Sequence, residues 1–273
     1  MSLAPELYEH VCRLVHSRSA IDLGDDKEYL VQARLEPLAR REGLATIGAL
    51  LTAVRSGAPG LADDVVEAMT TKETSFFRDP RMWASLRDHV IPTVIGEQPR
   101  QLRLWSAAAS TGQEAFSLAM MLREHFGRLP DPTILATDFS RPALAKARSG
   151  RFTKSEVNRG LPAHHLVQYL VQDGLEWEVR EELRAMVDFE HMNLATPWAP
   201  LEQMDVVLLR NVLIYFDAAS KSAVLERVSH VLSPRGFLLL GGAETTHGID
   251  DRFERVSMGQ WPCYRLQSDR MHS

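Results

Sequence analysis

The sequence has few cysteines, no long apolar run and no excess of positive charge. Its 273 residues include only two cysteines, Cys12 and Cys263, with no CxxC pattern and no Cys/His cluster. A disulfide framework and a thiol-rich zinc site are therefore excluded, and a reducing cytoplasm is favoured. No apolar run approaches the ~18 to 20 residues that cross a bilayer, and residues 1–19 are too polar for a signal peptide. We expect neither membrane insertion nor export.

The charge balance is mildly acidic. Lys and Arg number 31 against 36 Asp and Glu, which gives a formal net charge of -5 and no general attraction for nucleic acid. The ten histidines form no HExxH or other ligand spacing, so we expect no metal site. A hydrophobic fraction of 45% and a charged fraction of 25% are typical of a globular protein.

The periodicity of apolar residues divides the chain into two domains. Residues 1–80 contain short amphipathic segments, LYEHVCRLVH, DKEYLVQARLEPLARR, TIGALLTAVR and LADDVVEAM, which predict a helical domain. Asp26 is expected to cap the second helix, Pro37 to kink or break it, and Gly43 to end it. Residues 81–273 form the second predicted domain.

In that second domain, apolar strand-like runs alternate with amphipathic helices. LRLWSAA, TILATD, DVVLLRN and GFLLLGG are the strand candidates. The alternation predicts an α/β fold with a mostly parallel, doubly wound sheet. Residues 151–187 interrupt it with polar segments and are interpreted as a small inserted subdomain.

Two features predict a ligand cleft at the carboxyl ends of the strands. Small residues from Ala107 to Gly112 follow the first strand and allow a close approach of the backbone, although they also suit a tight packing turn. Asp138 ends the second strand, 26 positions after Gly112, where a carboxylate can accept hydrogen bonds from ribose hydroxyls. It can also serve as the cap or turn residue before the next helix. Because the turn has one glycine and no GxGxxG, S-adenosylmethionine fits better than a dinucleotide.

At these residues the sequence resembles the chemotaxis receptor methyltransferases of bacteria, which esterify receptor glutamates. The matching blocks run through nearly the whole chain in the order of that family. They are MTTKETSFFRD (69–79), LWSAAASTGQEAFSLAMML (104–122), ILATDFSRPALAKARSGRF (134–152), VDFEHMNL (187–194), LLRNVLIYFD (208–217) and VLSPRGFLLLGGAET (231–245).

The resemblance implies a Rossmann-like methyltransferase domain after a small all-helical domain, with residues 151–187 as a β-subdomain. It implies transfer of a methyl group from S-adenosylmethionine to glutamate carboxylates of receptors, with S-adenosylhomocysteine as the product. The partner would be the cytoplasmic helical domain of these receptors, and the enzyme a cytoplasmic monomer recruited to receptor arrays in the membrane.

The resemblance also implies roles for particular residues. Arg78 and Tyr215 would contact the substrate carboxylate. The residues that would hold the cofactor are Lys72, Thr74, Arg78, Glu114, Asp138, Asn193, Leu194, Arg210 and Asn211. Lys72 stands where the family often has asparagine, and Ala109 where it often has cysteine. An exposed Arg78–Asp79 ion pair and a core position for Tyr215 are the alternatives.

A basic face is expected to dock the acidic receptor. Arg34 and Arg41 lie seven positions apart on the second predicted helix, and Arg40 flanks them. An ordinary solvated face is the alternative. The subdomain has only isolated glycines, Gly160 and Gly174, where some relatives use paired glycines to bind a receptor's C-terminal peptide, so independence of that tether is expected.

Other functions remain open from the sequence alone. A methyltransferase-shaped module that binds the cofactor without transferring a methyl group is the main alternative. A methyltransferase for another protein or a small molecule is the next, and a dinucleotide oxidoreductase is the most distant.

Overall fold

The computed structural model describes residues 3–24, 26–96, 101–127 and 129–267. Contacts group the chain into two compact units, Met1–Thr71 with Tyr215–Ser220, and Lys72–Ile214 with Lys221–Ser273. Residues 72–80 are part of the predicted helical domain but group with the second unit instead, where Phe76 is fully buried in the core. Residues 1–2 and 268–273 of the predicted domains lie outside the described residues.

The first unit is helical, as the apolar spacing predicts. Its helices are α1 (Pro5–Ser19), α2 (Glu28–Arg41), α3 (Ile47–Arg55) and α4 (Leu61–Met69). Val11, Val31, Leu50 and Val65 are fully buried and form its core, one residue from each helix. None of the helices in the described part of the chain is long and apolar enough to cross a bilayer.

The ends of α2 differ in part from the sequence prediction. The helix runs through Pro37 without a break. Because proline has no N–H, the carbonyl of Ala33 loses its helical hydrogen bond. Ala33 and Pro37 are both exposed, so water can replace that bond. Asp26 does not cap it; Lys27 occupies the N-cap without a side-chain bond. Gly43 does end it: at a φ of 70° it donates to the Arg40 carbonyl, as in a Schellman motif.

The second unit contains a seven-stranded sheet among the described residues, which confirms the α/β class. Its strands are β1 (Arg103–Ser106), β2 (Thr133–Asp138), β6 (Val187–His191), β7 (Met204–Leu209), β8 (Leu232–Leu240), β9 (Phe253–Met258) and β10 (Trp261–Leu266). Their order in the sheet is β6-β2-β1-β7-β8-β10-β9. All pairs from β6 to β8 are parallel, and β10 is antiparallel to both of its neighbours.

Helices connect and flank these strands. They are α5 (Pro80–Ser85), a π-helical turn (Leu86–Val90), α6 (Ile91–Ile95), α7 (Gln113–Phe126), α8 (Arg141–Ser149), α9 (Lys154–Asn158), α10 (Ala163–Tyr169), α11 (Glu181–Arg184), a 3-10 turn (Leu213–Tyr215) and α12 (Ala218–Val231). β7 is buried at every position, as expected for a central parallel strand.

The predicted insertion contains a separate antiparallel sheet of three short strands. They are β3 (Arg151–Thr153), β4 (Leu170–Asp173) and β5 (Glu176–Val179), in the order β3-β5-β4. Phe152 is fully buried and meets Phe76 edge to face, with ring centroids 5.0 Å apart. The insertion ends before Val187, which already begins β6 of the large sheet.

The strand order places a reversal between β1 and β7. The chain moves outward from β1 through β2 to β6, and then returns to the other side of β1 as β7. In open α/β sheets such a point leaves a crevice at the carboxyl ends of the adjacent strands, where ligands bind. The side chains that follow β1, β2 and β7 are therefore the candidates for a site.

Residues 72–78 are held by several neighbours in the second unit. The carbonyl of Lys72 accepts from Ser110 Oγ at 3.1 Å, and the Phe77 N–H donates to Ser117 Oγ at 3.0 Å. Glu73 forms an ion pair with Arg159, whose hydrogen bond lowers the pKa of the Glu73 carboxyl group.

Gly160 has a φ of 92°, and a Cβ there would lie 2.0 Å from the carbonyl oxygen of Phe76. Only glycine permits this approach.

Replacing Gly160 with alanine should therefore lower the free energy of unfolding by about 3 kcal/mol or more, because it combines an unfavourable φ with a backbone clash. Gly174→Ala is the matched control: its φ is 61° with no atom within 4 Å of an added Cβ, so only about 1 kcal/mol should be lost. Urea unfolding measures both. Equal losses would contradict the close contact with Phe76.

Candidate functional site

A buried ion-pair cluster lies where β1 and β7 end. Arg210 follows β7, and its side chain is 1% exposed. Its Nη1 donates to Glu114 Oε2 at 2.6 Å, and its Nη2 donates to Asp79 Oδ2 at 2.6 Å and to the Arg78 carbonyl at 3.0 Å. Ser106, the last residue of β1, donates to Glu114 Oε1 at 2.8 Å. The cluster thus joins three separate segments of the chain.

The cluster carries a net negative charge and contains one hydrogen-bond donor without an acceptor among the described residues. One guanidinium faces two carboxylates, those of Glu114 and Asp79, which leaves a net charge of -1. Arg210 Nε is buried and has no hydrogen-bond partner among the described residues. Because a buried charge or donor is costly when it is unbalanced, the site suits a ligand that brings a cation and an acceptor.

Asp138 forms the second part of the site, at the end of β2. Its Oδ2 accepts from the Ser110 N–H at 2.8 Å, and its Oδ1 accepts from the Ser140 N–H at 2.8 Å. Ser140, rather than Asp138, caps α8 by accepting from Ala143. Asp138 is therefore not the cap of α8 but a residue of the turn before it, and its carboxylate also ties the turn after β1 to the end of β2.

The glycine in the turn after β1 has a packing role. Gly112 has a φ of 95°, and a Cβ there would lie 2.9 Å from Ala147 Cβ of α8. This close approach sets α7, which begins at Gln113 and carries Glu114 in its first turn. The packing alternative for this turn is therefore confirmed, and it is compatible with the predicted cleft.

Asn193 and Leu194 follow β6 in a short loop. The Asn193 side-chain oxygen accepts from the Ala195 N–H at 2.9 Å, which closes an Asx turn. Leu194 is 6% exposed, and its carbonyl accepts from Arg227 Nη2 at 2.5 Å. Two hydrogen bonds thus fix the loop at the carboxyl end of its strand.

Glu244, in the loop after β8, organises the residues that follow Arg210. Its buried carboxylate accepts from the N–H groups of Asn211 at 2.8 Å, Val212 at 3.0 Å, Ile214 at 3.2 Å and Gly241 at 2.7 Å. Asn211 adopts a left-handed φ of 57°, which is uncommon outside glycine. A single carboxylate therefore satisfies four backbone donors and holds this turn in place.

The remaining predicted residues of the second unit lie on the segment before α5. Lys72 is exposed, Thr74 is half-buried, and both belong to residues 72–78. Arg78 is half-buried, and its Nη1 donates to the Glu73 carbonyl at 3.3 Å. The alternative of an Arg78–Asp79 pair does not hold, because the Asp79 carboxylate binds Arg210. The guanidinium of Arg78 is thus held by one long bond.

Tyr215 groups with the first unit. It is half-buried, and its carbonyl accepts from the Asp22 N–H at 2.7 Å, beside an isolated bridge between Ile21 and Phe216. Asp217 follows; hydrogen bonds from Ser220 and His16 lower its pKa to about 2. The predicted substrate contact of Tyr215 stays a prediction.

The three predicted docking arginines differ in how they are used within the first unit. Arg34 donates to the Met69 carbonyl at 2.5 Å and to the Thr70 carbonyl at 3.1 Å, and its burial lowers its pKa. Arg41 binds Asp64 at 2.6 Å. Arg40 is 79% exposed and lies 3.6 Å from Glu36. Arg34 thus supports the end of α4, and Arg40 is the most accessible of the three.

Sequence reasoning missed Glu244 and Asp79 as parts of the site. Glu244 lies in the quoted GGAET segment, and the signal for it is an acidic residue directly after an apolar strand and two glycines. Asp79 enters the sequence-based predictions only as a possible ion-pair partner of Arg78. Its bond to Arg210 joins positions separated by 131 residues, which no local pattern reveals.

Glu244→Gln should lower the free energy of unfolding by about 2 kcal/mol or more, because the amide nitrogen faces N–H donors that the carboxylate now satisfies. Cofactor affinity should fall with it, since the turn at Asn211 loses its support. Glu254→Gln is the control: Glu254 pairs with Arg265 at an exposed position and should cost under about 1 kcal/mol. Urea unfolding and calorimetry measure these effects. Equal stability of both variants would contradict the role of Glu244.

Comparison with known proteins places this geometry in a family. Residues 72–261 match the model described as "CheR methyltransferase, SAM binding domain", and residues 6–70 match "CheR methyltransferase, all-alpha domain". The chain is 38% identical to chemotaxis protein methyltransferase Cher2 of Pseudomonas putida, over 90% of this chain and 92% of that protein.

Two further relatives match over almost their whole length. Chemotaxis protein methyltransferase 1 of Vibrio cholerae is 36% identical over 98% of this chain and 99% of its own. Chemotaxis protein methyltransferase 1 of Pseudomonas aeruginosa is 36% identical over 98% of this chain and 100% of its own. With both domain models matched in order across a sheet that ends in the Arg210 and Asp138 sites, the chain belongs to the CheR family of S-adenosylmethionine-dependent methyltransferases.

Proposed function

We propose that this protein methylates glutamate side chains in the cytoplasmic helical domain of chemotaxis receptors, and that the cluster around Arg210 holds the cofactor. The observation that carries the proposal is the excess negative charge of that cluster, with one guanidinium against the carboxylates of Glu114 and Asp79. S-adenosylmethionine supplies an activated methyl group on a positively charged sulfur, next to an ammonium and a carboxylate.

The charge distribution of the site fits the methionine end of that cofactor. Glu114 is 12% exposed and retains carboxylate lone pairs beyond those used by Ser106 and Arg210, so it can accept from an ammonium group. The buried Nε of Arg210 can donate to a carboxylate. In this proposal Thr74 and Lys72, on the neighbouring segment, border the same end.

The residues at the ends of β2 and β6 suit the adenosine end. Asp138 already accepts two backbone N–H groups, and a carboxylate can accept further bonds from ribose hydroxyls. Leu194 offers an apolar surface, and Asn193 and Asn211 offer side-chain amides for the base. This division follows the strand order, in which β6 and β2 lie on one side of β1 and β7 on the other.

The chemistry requires alignment more than proton transfer. A glutamate carboxylate has an ordinary pKa near ~4.3, so at neutral pH it is already a nucleophile and needs no general base. Holding two reactants in line can lower the barrier by roughly 7 to 11 kcal/mol. Arg78, which has one long bond of its own, can orient the incoming carboxylate through its planar fork, and Tyr215 can donate from its hydroxyl.

Arg210 acts as a positioning residue in this proposal. Its side chain is 1% exposed, and it binds the carbonyl of Arg78 and the carboxylate of Glu114 together. It thereby sets the distance between the segment that meets the substrate and the helix that meets the cofactor. Removing it would leave the largely buried carboxylate of Glu114 without its cationic partner, a change that is strongly destabilising, and would also unpair the partly exposed Asp79.

Arg78→Ala should lower turnover by about 100-fold at saturating cofactor while the folded state keeps its stability, because Arg78 orients the substrate and makes few contacts. Arg78→Lys, which keeps the charge without the fork, should recover part of the rate. Arg81→Ala, at a nearby exposed position, is the control. Transfer of a labelled methyl group to a purified receptor cytoplasmic domain measures the rate. Full turnover of Arg78→Ala would contradict the assignment, and no transfer by the unchanged protein would contradict the proposed function.

A basic face on α2 is the proposed docking surface for the acidic receptor, with Arg40 as its most accessible member and Arg41 beside it. Because Arg34 supports the end of α4, its role in docking would be indirect. Attraction between a basic face and an acidic partner speeds association and weakens with salt.

Arg40→Glu should raise the KM for the receptor several-fold, with a smaller effect at high salt, and leave cofactor affinity unchanged. Arg13→Glu on α1 is a matched control, because Arg13 is 70% exposed and lies 3.6 Å from Glu9, one helical turn away, as Arg40 does from Glu36. Steady-state methylation at two salt concentrations distinguishes the two arginines. Equal losses in both variants would indicate an effect of net charge and contradict a specific face.

A further inference from the structure

A cluster of histidines and one carboxylate lies outside the methyltransferase site. Glu124 is near the end of α7, and His164 and His165 lie in the first turn of α10. His165 Nε2 is 2.7 Å from Glu124 Oε2, and His164 Nε2 is 3.7 Å from Glu124 Oε1. One ligand atom from each of the three residues lies within 4.8 Å of the other two. This set is called the His–Glu cluster below.

We propose that the His–Glu cluster binds a divalent transition metal of the zinc type. Imidazole nitrogen and carboxylate oxygen are ligands that Zn²⁺ accepts at about 2.0 to 2.2 Å, which places neighbouring ligand atoms about 3.3 Å apart in a tetrahedral site. The separations of 2.7 and 3.7 Å from the Glu124 oxygens lie on either side of that value. Small rotations of exposed side chains would complete the geometry.

Packing, rather than a polar network, orients the buried member of the cluster. The His165 side chain is 5% exposed, and its Nδ1 is buried without a hydrogen-bond partner among the described residues. Its ring stacks on Phe77 with centroids 4.9 Å apart and lies 5.5 Å from the ring of Tyr169. The ring is therefore held in place with Nε2 directed at Glu124, independently of any ion.

The other members make the site accessible and leave room for a further ligand. The His164 side chain is 61% exposed, so a metal can enter from solvent on that side. His125, the residue after Glu124, has its Nε2 3.5 Å from Glu124 Oε2 but lies outside this group of three, so the fourth position is left to water. On the preceding helical segment, Arg87 and Asp88 pair with each other, with Arg87 Nε 2.6 Å from Asp88 Oδ1.

A metal here would connect the large sheet's layer to the inserted subdomain. Glu124 belongs to α7, which packs on the large sheet, and His165 belongs to α10, which leads into β4. Phe77, which stacks on His165, precedes Arg78 in the chain. The metal would thus bind a ring that already packs on one end of residues 72–78, without itself touching the proposed cofactor site.

The test is a titration of the full-length protein with Zn²⁺ after treatment with a chelator, followed by calorimetry, and with Co²⁺, followed by visible absorption. We expect saturation at one metal per chain and a tetrahedral Co²⁺ spectrum. His164→Ala and Glu124→Gln should each weaken binding by at least about tenfold, because each removes a ligand. His230→Ala, an exposed helical histidine outside the cluster, should bind like the unchanged protein.

The outcomes distinguish this site from metal capture by other histidines, of which the chain has ten in all. His164 is exposed, so its alanine variant should unfold at the same urea concentration as the unchanged protein in the presence of chelator, which separates loss of a ligand from loss of the fold. Equal affinity of the His164, Glu124 and His230 variants, or no saturable binding, would overturn the proposal. The measurement needs neither cofactor nor receptor, so it is independent of the proposed methyl transfer.

Discussion

The ion pairs of one buried arginine hold the site of this protein together. Arg210 reaches Glu114 on α7 and Asp79 before α5, and it also binds the carbonyl of Arg78. Because the largely buried carboxylate of Glu114 and the partly exposed carboxylate of Asp79 share one guanidinium, neither segment can move away without removing a partner from the buried charge of Arg210. The site is therefore set by electrostatics within the protein, before any ligand binds.

The charge of the same cluster is the basis for proposing that it holds a cationic cofactor. A buried guanidinium that was balanced by one carboxylate would be neutral, whereas the second carboxylate makes the region attractive for a sulfonium or an ammonium group. Glu244 has a different role, because it accepts hydrogen bonds from the backbone N–H groups of the turn that contains Asn211. The second carboxylate on Arg210 therefore determines the charge of the site, whereas Glu244 determines its shape.

The inserted subdomain supports the site by contacting residues 72–78. Gly160 approaches the carbonyl oxygen of Phe76, and Phe152 packs on the Phe76 ring. Arg159 forms an ion pair with Glu73. These contacts fix residues 72–78, which precede the first strand of the large sheet, against elements that come much later in the chain. The insertion is thus a structural support for the proposed substrate segment.

The sequence alone determined the α/β class, the helical first unit, the end of α2 at Gly43 and the family, because apolar periodicity and short motifs are local properties of the chain. It also predicted that Asp138 ends the second strand, and the resemblance implied that Glu114 and Arg210 belong to the same cofactor site. Only the tertiary structure decided that Asp79 pairs with Arg210, that Glu244 binds four N–H groups, and that Arg34 binds the carbonyls after α4. Apart from the bond between Glu244 and Gly241, each of these contacts joins residues at least 30 positions apart. The continuity of α2 at Pro37 depends on solvent exposure. Such features depend on how distant segments pack, which no local pattern encodes.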